Sequence, residues 1–339
     1  MSNLDSTTRE LWAKSAFKQV YIRLIVLHLL LERKQVFNSG TAIKHTLDYD
    51  EMDSLFQEYT ENEPLDGGAK TVLKTATWYP KFAQIPVKVT GKEWRNNMRG
   101  SGSDGRIIPL PQYLVDKAQR AMRLGLNSVV YRAGSSNRDA ETNSGIQGLN
   151  DALTHDITYG GLSRATTVTN KEWQGASLGD TFADVATAMK PTIANFRSCV
   201  DRVSAFCETE SDFVCITSDV NWRSLQSAIE GQKWYKEGDH VKYGFSSYNI
   251  DQIEVFKEPW LSSNRNSSAA TTKKYFYLLH LPNWKFFIDP ERKLGNFTGF
   301  KHQAEVEGGT DTYLARIMFS GNLICDQPNA SMFKSNVSM

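Results

Sequence analysis

The sequence predicts an α+β protein, and three patterns predict it. Two runs alternate apolar and polar residues, two long stretches repeat apolar residues at helical spacing, and the C-terminal half strings short apolar runs between turns. The 339 residues suit two domains of the usual ~150 residues, or one large domain. A chain of this length buries about 75% of its unfolded surface, so its core needs no disulfide staples.

The first helix is expected from about Thr8 to Gln35, where Leu11, Ala16, Val20, Leu24, Leu27 and Leu31 share one stripe. Its most apolar part, Val20 to Leu31, holds Arg23 and His28 and is shorter than the ~20 residues a bilayer span takes. Glu32-Arg33-Lys34-Gln35 follows it, which is no signal-peptide cleavage site. The stripe is expected to dock, either on its own domain or as an arm on a neighbouring subunit.

Next, Ile43, His45, Leu47 and Tyr49 alternate with Lys44, Thr46 and Asp48 as in a strand, and Ala83, Ile85, Val87 and Val89 do the same later. Pro86 places the second run at an edge, because proline donates nothing to a ladder. The excursion between the two runs is longer than the ~12–15 residues of an ordinary loop, which marks it as a contact loop.

A long helix is expected from Pro109 to about Arg132, with Leu114, Ala118, Ala121, Met122, Gly125, Leu126 and Val129 inward and Gly134 as its stop. Lys117, Arg120, Arg123 and Arg132 share the other face with the single acid Asp116. That face is either solvated or turned to a polyanion. Ser135 to Asn150 reads as loop, and Thr181 to Phe206 as a second long helix kinked at Pro191. Phe213 to Ile216 is a core strand, followed by a helix from about Asn221 to Glu230. Further strands are expected at Gln252 to Phe256, Lys274 to Leu281, Lys285 to Ile288 and Leu314 to Phe319.

Lysine plus arginine is 39 against 38 for aspartate plus glutamate, so contact with nucleic acid has to be local. Cys199, Cys207, Cys215 and Cys325 form no C-x-x-C pair and read as free thiols of a reducing compartment. Gly100-Ser101-Gly102-Ser103-Asp104-Gly105 spells G-x-G-x-x-G but lacks the strand before and the helix at once after it, so it reads as a hinge. The six histidines have no metal-site spacing. His155-Asp156 is the tightest acid and histidine pair, and no nucleophile elbow accompanies it. No catalytic residue, metal or cofactor is expected.

Three segments carry a resemblance: Gly145-Ile146-Gln147-Gly148-Leu149, then Tyr159-Gly160-Gly161-Leu162-Ser163-Arg164-Ala165-Thr166, then Trp173-Gln174-Gly175. They resemble the major capsid proteins of tailed bacteriophages with the Hong Kong ninety-seven fold, in which G-L-x-G-L leads to Y-G-G-[IL]-x-R-[AS]-T and a W-x-G. Gly321-Asn322-Leu323-Ile324-Cys325 is similar to that family's closing strand, with Asp326 or Gln327 where an arginine is often found.

The resemblance implies a non-enzymatic subunit that forms pentamers and hexamers of an icosahedral shell around double-stranded DNA, assembled in the host cytoplasm and located in the virion capsid. It implies an N-terminal arm helix over 1–40, an extended hairpin loop over 41–105, a peripheral domain with the spine helix over 106–212, an axial domain over 213–320 and a returning strand over 321–339. Leu24, Leu27, Lys70, Lys74 and Trp78 would then meet neighbouring subunits, with Lys70 or Lys74 in the region that carries an isopeptide crosslink in some members. Lys117, Arg120, Arg123 and Arg132 would line the interior. The short stretch before the first strand leaves no room for a built-in scaffolding domain, so a separate scaffolding protein and a portal are implied partners, with no membrane. An encapsulin-like nanocompartment shell is the alternative with the same fold, and a two-domain cytosolic enzyme using His155 and Asp156 the alternative without it.

Overall fold

A computed structural model describes residues 24–37, 40–48, 56, 58–60, 73–98, 110–143, 145–154, 157–164, 173, 175, 192–207, 212–230, 247–261, 275–292, 296–303 and 309–334. Helix α1 (Ile25–Glu32) leads to strands β1 (Lys34–Val36), β2 (Ile43–Asp48), β3 (Leu73–Trp78) and β4 (Lys81–Thr90). Helices α2 (Gly91–Met98), α3 (Leu110–Val130), α4 (Leu149–Leu153) and α5 (Ile193–Ser204) follow. The remainder is β5 (Phe213–Thr217), α6 (Asp219–Glu230), β6 (Ser247–Ile250), β7 (Ile253–Lys257), β8 (Phe276–His280) and β9 (Trp284–Ile288), then β10 (Asn296–Phe297), β11 (Lys301–His302), β12 (Thr312–Cys325) and β13 (Met332–Lys334). The class is α+β, as the sequence predicts.

The chain gathers into two compact units. One takes the described residues of Ala83–Gly125 and Arg292–Phe319, the other those of Arg23–Phe82, Leu126–Glu291 and Ser320–Met339. In the larger unit, one sheet runs in the order β13-β8-β5-β7-β6. β5 and β7 are parallel, with α6 and then β6 between them in the chain, while β8 lies antiparallel on the other side of β5. All five residues of β5 are buried, the pattern of a central strand covered on both faces. Phe196, Cys199 and Val203 recur at three and four residues along α5 and enter the same core as Leu225, Tyr248, Val255, Phe276, Leu278 and Met332. Thr192 caps α5 by accepting from Asn195 N at 3.2 Å.

The second sheet of the larger unit places β9 between parallel β1 and the later half of β12, with Leu323 opposite Phe286. In the smaller unit, β10 and β11 pair antiparallel with the earlier half of β12, and β4 also pairs with β12. β12 is one strand of 14 residues. The closing segment Gly321 to Cys325 is therefore the continuation of the expected Leu314 to Phe319 strand and not a separate element.

Two further expectations are corrected. The first alternating run does form β2, but its partner is β3, in register from Ile43 opposite Trp78 to Asp48 opposite Leu73. β3 reads Leu73-Lys74-Thr75-Ala76-Thr77-Trp78, and its threonines hide its apolar face. On α3 the buried line is Val115, Ala118, Met122, Leu126 and Val130, while Ala121 and Gly125 are exposed. Steps of three, four, four and four keep those residues on one stripe, rotated from the one expected. Helix α2 begins with a reciprocal cap: Thr90 N donates to Glu93 Oε2 at 3.0 Å and Glu93 N to Thr90 Oγ1 at 3.3 Å. The Gly100 to Gly105 glycines, the Pro191 kink and the His155-Asp156 pair lie outside the described residues. Among the described residues no helix is long and apolar enough to cross a membrane.

Candidate functional site

The segments that carry the resemblance meet in one buried hub of the larger unit. Tyr159 and Leu162 form a two-residue hairpin, with Tyr159 N donating to Leu162 O at 3.1 Å and Leu162 N to Tyr159 O at 3.2 Å. Its central residues, Gly160 and Gly161, have φ of +62° and +78°. Two consecutive left-handed residues suit the twist of a tight hairpin, and glycine takes that conformation without a Cβ penalty. A Cβ on Gly160 would also stand 2.9 Å from Ala76 Cβ and 3.1 Å from the Trp78 ring. The same residue accepts from Thr77 N at 2.9 Å, which joins the hairpin to β3.

Asp139 holds the turn from the other side. Its Oδ1 accepts from Gly160 N at 2.8 Å and from Gln147 Nε2 at 2.9 Å, and its Oδ2 accepts from Gly161 N. Gln147 continues the chain of contacts to β12, where Asn322 Oδ1 accepts from Gln147 N at 2.9 Å and Asn322 Nδ2 donates to Tyr79 O at 3.0 Å. Cys325 N donates to the Tyr159 hydroxyl at 2.7 Å, and Trp173 Nε1 to Tyr159 O at 2.9 Å. The rings of Trp78, Tyr159 and Trp173 pack together, with centroids 5.7 Å to 6.2 Å apart.

Arg164 fills the centre and is 1% exposed. Its guanidinium lies 5.2 Å from the Tyr159 ring centroid and donates to four backbone carbonyls, those of Ile157 at 2.9 Å, Asp151 at 2.5 Å, Trp173 at 3.4 Å and Ala152. A planar fork of donors fits such a set, where an ammonium would reach only one or two. Burial pulls its pKa down to about 10, so it stays charged at neutral pH. Beside it, Arg138 and Asp151 form an enclosed ion pair at 2.8 Å, and Asp151 also takes the amides of Gly148 and Ser135. Burial raises the Asp151 carboxyl against these partners. The Lys81 ammonium, also buried, donates to the carbonyls of Ala140, Glu141 and Asn143, which fixes the start of β4 to the loop that carries Asp139.

These groups hold backbone in place. The four thiols are free and burial raises each, Cys199 to about 12 and Cys207 to about 11, which keeps them protonated. Among the described residues no three of His, Cys, Asp and Glu stand together as metal ligands.

The residues singled out from the sequence divide into three sets. Leu27 and Trp78, expected between subunits, are 2% and 1% exposed in the chain by itself. Leu27 lies in α1, which packs on β9, and Trp78 belongs to the hub, so neither needs a neighbour to leave water. Leu24, just ahead of α1, and Lys74, on β3 opposite Leu47, are half-buried, and Lys70 lies outside the described residues. Lys117, Arg120 and Arg123 are exposed on α3, with the Lys117 ammonium 6.0 Å from the Tyr113 ring. Arg132 lies exposed past the end of α3 and donates to Ile146 O at 2.8 Å. At the position where the resemblance expects an arginine, Asp326 meets His45 Nδ1 at 2.8 Å and the Lys285 ammonium. Asp139 and Lys81 went unread in the sequence, because nothing local distinguishes a loop aspartate that gathers amides from any other.

Solved structures share this architecture over its whole length. A chain of the cyanophage A-1(L) capsid asymmetric unit superposes with a TM-score of 0.71 over 100% of both chains at 17% identity. A chain of the capsid of Myoviridae phage XM1 gives 0.55 over 97% of each at 11% identity, and one of Mycobacterium phage Ogopogo gives 0.56 over 99% of each at 10%. No protein-family profile matches the sequence, and no curated protein does. The chain thus has the α+β capsid fold of the Hong Kong ninety-seven type that its sequence resembles.

Proposed function

We propose that this chain is the major capsid subunit of a tailed bacteriophage, a structural protein that assembles with itself into pentamers and hexamers and encloses double-stranded DNA. The observation that carries the reading is the match to a cyanophage capsid chain at TM-score 0.71 with neither chain left uncovered. The convergence of all four family-like segments on one hub supports it, because it explains why those residues occur together. In this reading residues 1–40 are the arm, 41–105 the extended loop, 106–212 the peripheral domain, 213–320 the axial domain and 321–339 the returning strand. Leu24, Lys70 and Lys74 meet neighbours, and scaffolding and portal proteins are partners.

Lys117, Arg120 and Arg123 form the DNA-facing surface, since three exposed cations on one helix supply local attraction that the nearly neutral chain lacks. Arg132, exposed just past the helix, joins that surface while one of its amino groups donates to Ile146 O. The test is negative-stain electron microscopy of the full chain expressed with and without a candidate scaffolding protein. Polyhedra, or rings of five and six, are expected. A monomer under every condition overturns the shell, and particles that hold protein in place of nucleic acid overturn the DNA part.

A further inference from the structure

Glu258 stands at the end of β7, in the turn before a short helix at Pro259–Leu261, and is 0% exposed. Its Oε1 accepts from Trp260 N at 3.2 Å, and the amides of Ile25 and Val26, the first two residues of α1, face the same carboxylate. α1 has no cap of its own. Leu24 occupies the N-cap position without a side-chain hydrogen bond, and the first turn holds no acid. Glu258, from a distant part of the sequence, thus brings a buried carboxyl group to the uncapped first turn of the helix.

Among the described residues no lysine, arginine or histidine pairs with Glu258, and the neighbouring Lys257 turns its ammonium to the Trp222 ring at 5.7 Å. The titratable groups that face it are the Tyr131 hydroxyl, just past α3, and behind that Tyr277 on β8, whose own hydroxyl bonds Asn150 of α4 at 3.1 Å. β5 contributes only the Thr217 carbonyl, which accepts from Glu258 N at 3.1 Å. On α1, His28 and Glu32 are a turn away and pair with each other. Glu258 Oε2 makes no hydrogen bond of ordinary geometry. Burial is the largest influence and raises the Glu258 carboxyl to about 7, against the pull of the amides and Tyr131.

We propose that the seating of α1 on Glu258 is a proton-linked latch, in which neutral Glu258 holds the root of the N-terminal helix down and ionised Glu258 loosens it. Lifting the first turn of α1 lets water reach the carboxyl and returns it toward its ordinary value. The seated form therefore holds the proton more tightly than the lifted form, and by linkage acid favours seating. One proton changes the opening equilibrium by up to about tenfold per pH unit between the ordinary glutamate range and neutrality, with little further change above it. The latch belongs to the chain by itself and does not depend on the shell reading.

Hydrogen exchange of the unassembled full-length chain tests it, with opening of peptides over 24–32 followed from pH 5 to 8.5, corrected for the intrinsic pH dependence and referenced to α5. Wild-type α1 opening is expected to rise with pH, approaching tenfold per unit, and to level off near pH 7. In Glu258→Gln, which keeps the shape and stays neutral, opening is expected to stay flat and low across the range. A flat wild-type profile overturns the latch, and so does the wild-type slope persisting in Glu258→Gln. If the variant loses α5 protection, the wild-type slope alone decides.

Discussion

Replacing Arg164 with methionine keeps most of the side-chain volume and removes the fork of donors at the centre of the hub. The carbonyls of Asp151, Ala152, Ile157 and Trp173 are then left in the interior without that partner. At ~1.5 kcal/mol for each bond to a charged donor, the loss is about 6 kcal/mol. Against it stands the cost of keeping a cation in the interior, which its fall to about 10 puts at ~3 kcal/mol. The net destabilisation is about 3 kcal/mol, roughly two decades in the unfolding constant. Urea unfolding of the unassembled chain, followed by tryptophan fluorescence, reads it, since Trp78 and Trp173 pack in the same hub. Arg164→Lys should lose nearly as much despite keeping its charge. Wild-type or higher stability of Arg164→Met would show that the carbonyls find other partners and that the hub does not depend on this side chain.

Gly160→Ala forces a side chain into a left-handed turn and against Ala76 and Trp78, and should cost about 1–3 kcal/mol by the same urea assay. Leu27→Asp places a charge where the native side chain is covered by its own chain, so it should lower melting temperature and soluble yield by the equivalent of about 3 kcal/mol or more. Leu24→Asp, at a half-buried site, should be milder, and equal effects would remove the distinction drawn between them. At Asp326, burial pushes the carboxyl up, but the contacts with His45 and Lys285 together outweigh it and hold the group below its usual range. Its contribution is therefore present at neutral pH and lost as pH falls through the native value. Asp326→Asn should melt lower than wild type at pH 7 and match it once the native carboxyl is itself protonated.

The elements that periodicity could reach were legible. Strand β5, with Phe213 to Ile216 uniformly apolar, and helix α3, with Met122 and Leu126 on one stripe, announce themselves over short windows. β3 escaped because Thr75 and Thr77 pair well in a ladder without looking apolar, and α2 because it buries little, although Thr90-x-x-Glu93 signals its start. The hub was legible only as a resemblance. The sequence spells Tyr159-Gly160-Gly161, and the left-handed turn follows from it. Nothing local says that Asp139 collects both amides or that Arg164 reaches four carbonyls, because those partners are set by tertiary closure. That Trp78 is covered by its own chain was not legible either, because an aromatic residue at a loop base has the same composition whether its cover comes from its own chain or another.

Tyr159 meets the backbone of Cys325 across 166 residues of sequence, and Gln147 meets Asn322 across 175. Translation at ~5–20 residues per second leaves about 8–35 s between synthesis of the two sides of that contact. Through that interval Trp78, Tyr159 and Trp173 have no Asn322 or Cys325 to close over them, and the contacts that bury them are of the slow, long-range kind. Completion of the hub thus waits on synthesis of Asn322 and Cys325. A chain truncated before Asn322 would present sticky aromatic surface in place of a closed hub, and a polysome would hold many such open hubs in close proximity.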